Sequence, residues 1–239
     1  MIGARAPLSA QSWGIALDGA TTGGDRGETL RMDVLPPSMI DRCGTALRRL
    51  TSIASAQSTV IAVASPGRRD GRSTVAAGLA LWIARETDQR TLLLDLDFAH
   101  PGQAEIFGVT SAPGLAEFVS SEEALRGIGD ADGRLWLLPA GVRTNQAPPG
   151  LLQRLRADDA YHACRERFAW TIVDLPPLLD SNEVVRWCDA ADACVLVARY
   201  RSTPMPGLER AAHMLRGAGT TGVVVTADSG IPEWVRRRM

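Results

Sequence analysis

SPGRRDGRST, residues 65–74, decides how this chain is read. It follows an apolar run, Val60-Ile61-Ala62-Val63-Ala64, and leads into a helix-like segment, VAAGLALWIARE, that begins at Val75. A glycine-bearing turn between strand and helix aims successive backbone N–H groups at one point and opens a helix whose N-terminus favours anions. Gly67, Asp70, Gly71, Arg72, Ser73 and Thr74 are therefore the candidate phosphate-contacting residues. Such loops ordinarily place lysine between the last glycine and the hydroxyl residue. Here Arg72 stands in that position. A planar guanidinium is bulkier than an ammonium and is not the same compact point charge, so phosphate neutralisation should survive the exchange better than phosphoryl transfer.

Outward from the loop, short apolar runs alternate with helical spacing. The pattern predicts strands over 59–65, 91–96, 134–138, 170–174, 193–199 and 222–226. It predicts helices over 38–53, 73–86, 113–127, 150–167, 182–189 and 205–217. Nearly unbroken apolar strands imply burial on both faces, so the expected fold is α/β, a mostly parallel central sheet flanked by helices. Ligands of such sheets bind beyond the carboxyl ends of the strands. Asp95 and Asp97 follow one predicted strand and Asp174 ends another, so all three should meet the loop at one sheet edge. A strand-end carboxylate can simply cap its turn. Three of them around a Gly-x-Ser-Thr turn favour a nucleotide site instead. In that reading Ser73 and Asp174 hold Mg²⁺, the latter through water, while Asp95 or Asp97 orients a water or a substrate hydroxyl as the catalytic group.

Composition sets the limits. With 239 residues, 45% of them apolar, the chain supports one sizeable core. A net charge of −1 offers no argument for nucleic acid. All 26 basic residues are Arg and none is Lys, so a site needing lysine chemistry has no candidate residue. Cys43, Cys164, Cys188 and Cys194 show neither a metal-ligand spacing nor a disulfide framework, which suits a reducing cytosol. No run approaches membrane-spanning length and no signal peptide is recognisable, so a cytoplasmic protein is expected, one that would work at a membrane only through a partner. Residues 1–36 read as a mobile extension, 37–230 as the α/β domain and 231–239 as a basic tail carrying Arg236, Arg237 and Arg238.

From about Thr45 to Ala227 the motifs resemble the cytoplasmic domain of bacterial tyrosine kinases of capsule and exopolysaccharide synthesis, relatives of the MinD/ParA group of P-loop ATPases. VIAVASPGRRDGRSTVAAGLA resembles the family's first strand, loop and helix, and TLLLDLDFAHP its second acidic motif. WTIVDLPPLLD, with Pro176 and Pro177, resembles its Walker B strand, and DACVLVARYRST and GVVVT complete the order. The resemblance implies ATP or ADP with Mg²⁺ as cofactor and a membrane-embedded polysaccharide co-polymerase, the chain-length-determining protein, as partner. It also allows for a homo-oligomer and gives no role to nucleic acid.

Departures from the family pattern shape the expected function. Arg72 replaces the loop lysine, and Arg69 stands where glycine is usual, a cost wherever the loop needs positive φ. Thr226 stands where an adenine-reading Asn is usual. The family's E-x-x-R-x-x-R motif is reduced to Thr45, Arg48 and Thr51, and in place of a tyrosine-rich tail the sequence holds only Tyr161 and Tyr200. The expectation is an accessory or regulatory component of polysaccharide polymerisation and export with a degenerate ATP site, cytoplasmic and peripheral to the inner membrane. The alternatives are an active Mg·ATP-dependent tyrosine kinase and a MinD/ParA-like positioning ATPase. Against the last, Gly67 occupies the position of that group's additional loop lysine.

Overall fold

A computed structural model of the protein describes residues 15–16, 28–50, 58–121, 125–141 and 150–227. In chain order the elements are β1 (Ile15–Ala16), α1 (Pro37–Leu50), β2 (Thr59–Ala64), α2 (Arg72–Glu86), β3 (Thr91–Asp95), α3 (Gln103–Phe107) and α4 (Leu115–Ser121). There follow β4 (Leu125–Arg126), β5 (Ile128–Gly129), β6 (Leu135–Leu138), α5 (Leu151–Leu155), α6 (Ala157–Arg165) and β7 (Trp170–Asp174). A 3₁₀ turn at Leu178–Asp180 then leads to α7 (Glu183–Asp189), β8 (Ala193–Arg199), α8 (Met205–Met214) and β9 (Thr220–Thr226).

The apolar strands pair as a seven-stranded sheet in the order β5-β6-β3-β7-β2-β8-β9, parallel except where β5 meets β6. Alternation along each strand divides its side chains between two cores. Val60, Ala62 and Ala64 of β2, with Leu92 and Leu94 of β3, face a layer that includes Leu115 of α4, Leu155 of α5, Ala160 of α6 and Val184 of α7. Ile61, Val63 and Leu93 face the opposite layer, where Val75, Leu79 and Ile83 of α2 pack with Ile40 and Leu47 of α1. Trp136 and Trp187 are fully buried, whereas Trp82 and Trp170 are half-buried against the core.

Helices α1 and α2 cross closely because glycines mark the contact. Gly44 lies against the Trp82 indole, and a Cβ added at Gly78 would sit 2.6 Å from Cys43 Sγ. Among the described residues no helix is long and apolar enough to cross a membrane.

Three expectations are corrected, and one short helix is not predicted. The helix predicted over 113–127 ends at Ser121, and the segment beyond supplies β5, which runs antiparallel to β6 around a turn closed by Asp130. Asp130 accepts the Leu135 N–H on its carboxylate and the Gly133 N–H on its carbonyl, with Gly133 at φ 68°. Leucine and isoleucine spacing there imitates a helix, but Gly127 and Gly129 disfavour one. The helix predicted over 150–167 is two, α5 and α6, broken at Arg156, whose φ of 51° and ψ of 112° cannot continue a helix. Helix α3 has five residues, too few for its periodicity to register in sequence. Finally, residues 28–36, grouped with the extension from sequence, pack on the domain. Leu30 is buried and donates its N–H to the Gly129 carbonyl, and Glu28 accepts from the Thr110 N–H and hydroxyl. The rest of the extension apart from β1, the end of the first predicted helix at 51–53 and the 231–239 tail lie outside the described residues.

Two outcomes follow from the packing. Gly78→Val should cost about 1–3 kcal/mol by overpacking against Cys43, lowering the melting temperature by roughly 2–4 °C per kcal/mol; a Cys43→Ala change in the same chain should return part of the loss. Burial raises the Cys43 thiol to about 11 and Cys164 to about 12. Cys188, hydrogen-bonded to Cys194 and buried, is also raised well above the ordinary thiol value. At about pH 8 these three remain thiols rather than thiolates, so a thiol reagent should label them only after denaturant is added.

Candidate functional site

Strand β2 delivers the chain to the loop and α2 takes it away. Arg69 (φ 63°) and Gly71 (φ 90°) both adopt the left-handed conformation, which turns the backbone back on itself within three residues. Gly71 suits this for two reasons. It carries no Cβ penalty, and a Cβ there would lie 3.1 Å from the Thr226 side chain. Arg69 bears the penalty anticipated from its sequence position.

The loop is held by its own residues and by the neighbouring strands. Ser65 donates its hydroxyl to the Gly67 carbonyl at 2.6 Å. Asp70 accepts the Gly67 N–H on one carboxylate oxygen and the Thr203 hydroxyl, at 2.6 Å, on the other. The Thr226 hydroxyl donates to the Asp70 carbonyl at 2.7 Å, and Arg199 donates to the Arg69 carbonyl at 2.9 Å. Asp70 and Thr226, both expected near a ligand, therefore hold the loop in shape. Between loop and sheet edge lies a cavity of about 370 Å³ whose walls include Arg69, Gly71, Ser73, Thr74, Arg199 and Thr226.

Asp95, Asp97 and Asp174 gather beneath the loop, since β3 and β7 are in register with Asp95 opposite Asp174. Arg72, only 7% exposed, turns its side chain into this cluster rather than outward. Its Nε donates to Asp174 Oδ1 at 2.9 Å, Nη2 to Asp97 Oδ2 at 2.6 Å and Nη1 to Ser65 Oγ at 3.3 Å. Burial opposes its charge, but the Asp174 and Asp97 carboxylates outweigh burial and raise its pKa above the ordinary arginine value. Gln103, at the start of α3, closes the other side. Its amide donates to Asp174 Oδ2 at 2.7 Å and to the Ser73 carbonyl at 3.0 Å. Sequence reasoning missed Gln103 because an amide in an unpredicted five-residue helix carries no mark of its destination.

Asp95 is fully buried and accepts backbone N–H groups from Asp97, Gly102 and Gln103. Those bonds favour its charged form, but burial foremost, then the charge of Asp174, raise its pKa to about 8. It shapes the turn from β3 to α3.

A magnesium ion needs hard oxygen ligands in near-octahedral array. Both oxygens of Asp174 already accept from Arg72 and Gln103, and those of Asp97 from Arg72 and the His100 N–H. Gln103 Oε1 is buried without a hydrogen-bond partner, but one amide oxygen beside a guanidinium makes no divalent site. The acidic side of the site, as arranged, does not fit the metal expected of Ser73 and Asp174.

Comparison with known proteins places this geometry. No protein-family model matches the chain. The tyrosine-protein kinase ptk of Acinetobacter johnsonii is 25% identical over 171 residues, 70% of this chain and 23% of that protein. The succinoglycan biosynthesis transport protein ExoP of Rhizobium meliloti is 30% identical over 156 residues, 64% of this chain and 20% of ExoP. Most of the relatives are named as bacterial tyrosine kinases, such as ptk, etk and CpsD, while ExoP is named as a succinoglycan biosynthesis transport protein. The chain spans only about a fifth to a quarter of ptk and ExoP, but 77% of the tyrosine-protein kinase CpsD of Streptococcus agalactiae, which is 25% identical over 178 residues. In fold, the kinase domain of Escherichia coli ETK superposes with a TM-score of 0.70 at 19% identity, covering 93% of each chain. A ParA family ATPase from Chlorobium tepidum superposes at 0.54 with 19% identity, covering 73% of this chain and 76% of that one. Arg48, the retained charge of the family's helix motif, lies over the Trp82 ring at 5.1 Å and donates to Thr45, while Thr51 lies outside the described residues.

The Asp95 environment sets a pH dependence. A carboxyl whose folded pKa is raised contributes stability that is fully present below its unfolded value, near 4, and is lost as pH rises through about 8. Stability from this group should therefore fall across that interval, and Asp95→Asn, which cannot ionise, should flatten the slope in denaturant titrations.

Proposed function

We propose that this chain is a tyrosine-kinase-like component of bacterial polysaccharide synthesis and export that keeps the phosphate loop and has lost phosphoryl transfer. The relatives' names support the first half, since ptk and CpsD are tyrosine kinases and ExoP is a succinoglycan biosynthesis transport protein. The observation that carries the second half is the engagement of Arg72 by Asp97 and Asp174. Transfer relies on a cation at the moving phosphoryl group and a carboxylate free to orient the attacking oxygen. Arg72 lies in the cavity wall, but its guanidinium is committed to Asp97, Asp174 and Ser65, and both carboxylates are matched to it, so neither requirement is met. In this reading the protein acts at the cytoplasmic side of the inner membrane by docking on a membrane-embedded chain-length-determining partner. Nucleotide binding by Gly67, Asp70, Gly71, Arg72, Ser73 and Thr74 would be regulatory or vestigial.

An active tyrosine kinase is the second reading. The cavity in front of the loop favours it, since a ligand has room to enter.

Two measurements separate them. Incubation with Mg·ATP followed by mass spectrometry should find no stoichiometric phosphotyrosine. Tyr161 is buried with its hydroxyl bonded to the Trp187 carbonyl at 2.9 Å, and Tyr200 is half-buried. Label on either tyrosine supports the kinase. In cells, polymer yield in an Asp174→Ala strain should stay near normal at matched protein level, whereas deletion should abolish or shorten the polymer. A loss in Asp174→Ala as deep as the deletion would reinstate an active nucleotide cycle.

A further inference from the structure

We infer that Arg72 is itself the cation of this site: the chain binds the phosphates of a nucleoside di- or triphosphate without a divalent ion, and Mg²⁺ adds nothing to that binding. The inference rests on the nucleotide-site reading above and specifies what the site requires of its ligand.

A divalent ion at a phosphate loop normally balances two groups of negative charge, the phosphates and the strand-end carboxylates. Here the two tasks are divided. Behind the loop, the guanidinium meets Asp97 at 2.6 Å and Asp174 at 2.9 Å, while Gln103 covers the remaining oxygen of Asp174 and ties it to the Ser73 carbonyl at the start of α2. None of Asp95, Asp97 and Asp174 lines the cavity. A metal entering among them would have to break these buried bonds and sit beside a cation that burial holds in place, which is strongly unfavourable. In front, the cavity walls hold Arg69, Asp70, Arg72, Ser73, Thr74 and Arg199 at the N-terminus of a fifteen-residue helix. Phosphate arriving there meets the Arg69 and Arg199 side chains and a helix N-terminus, with Asp97 and Asp174 already paired to Arg72 and the Asp70 oxygens taken by the Gly67 N–H and the Thr203 hydroxyl.

The test is calorimetric titration of the full chain with ADP and with ATP, once in EDTA and once in excess Mg²⁺. The dissociation constants should agree within about threefold. In Arg72→Ala and Arg72→Lys the acidic cluster is released from the guanidinium, and Mg²⁺ should then tighten ADP by about tenfold or more. Melting curves report whether those variants fold. If they do not, Mn²⁺ paramagnetic resonance on the unaltered protein decides instead, and the spectrum should remain that of the free hexaaquo ion. Mg²⁺ tightening of the unaltered protein by about tenfold, a bound Mn²⁺ signal, or no nucleotide binding in either buffer overturns the inference. Failure of the transfer-deficient reading shows elsewhere, as phosphotyrosine or as polymer loss in Asp174→Ala.

Discussion

Two carboxylates at neighbouring strand ends, Asp97 just beyond β3 and Asp174 at the end of β7, repel each other, and folding them under a layer of protein demands a counter-charge. In this protein the counter-charge is the Arg72 guanidinium, bonded to Asp97, Asp174 and Ser65 at the first turn of α2. Its planar fork reaches two carboxylates and a hydroxyl at once, which a lysine ammonium does with less geometric definition. The carboxyl edge of the sheet is organised around it. Gln103 completes Asp174, Asp97 caps the turn at His100, and Asp95, deeper still, fixes the entry to α3.

The phosphate loop depends on more distant parts of the chain than its own ten residues. Thr203, Thr226 and Arg199 come from the far edge of the sheet and hold Asp70 and the Arg69 carbonyl. The left-handed Arg69, two residues before the left-handed Gly71, needs such support, because a non-glycine residue in that conformation is uphill by about 1–2 kcal/mol. Beneath the loop the close crossing of α1 and α2, allowed by Gly44 and Gly78, seats α2 and therefore the loop's last residue. Shape at the site is thus supported from β8, β9 and α1 together.

Fold and chemistry separate in this chain. Its architecture is shared with solved tyrosine-kinase domains and, more distantly, with a ParA family ATPase. A fold of this kind hosts several activities, so the argument for any one of them lies in the side chains at the strand ends. Those side chains are matched to one another, through hydrogen bonds and ion pairs that leave the carboxylates behind the loop rather than in the cavity.

Much was legible in the sequence because its physical signals are local. Continuous apolar runs placed the central strands, with 170–174 and 193–199 agreeing with β7 and β8 to the residue. Strand-end position alone brought Asp95, Asp97 and Asp174 to the edge that carries the loop. Short elements were not legible. Helix α3 and strand β5 are too brief for periodicity, and the break at Arg156 reflects a backbone angle that no composition announces. Nor could spacing show where Arg72 points. From the sequence it is a cation beside a phosphate loop; in the folded protein it is the partner of Asp97 and Asp174, residues 25 and 102 positions away. The sequence by itself determined that a basic side chain stands at the start of α2. Only the tertiary structure decided its partner, because the orientation of a long side chain follows from charges that the fold brings together and not from its neighbours along the chain.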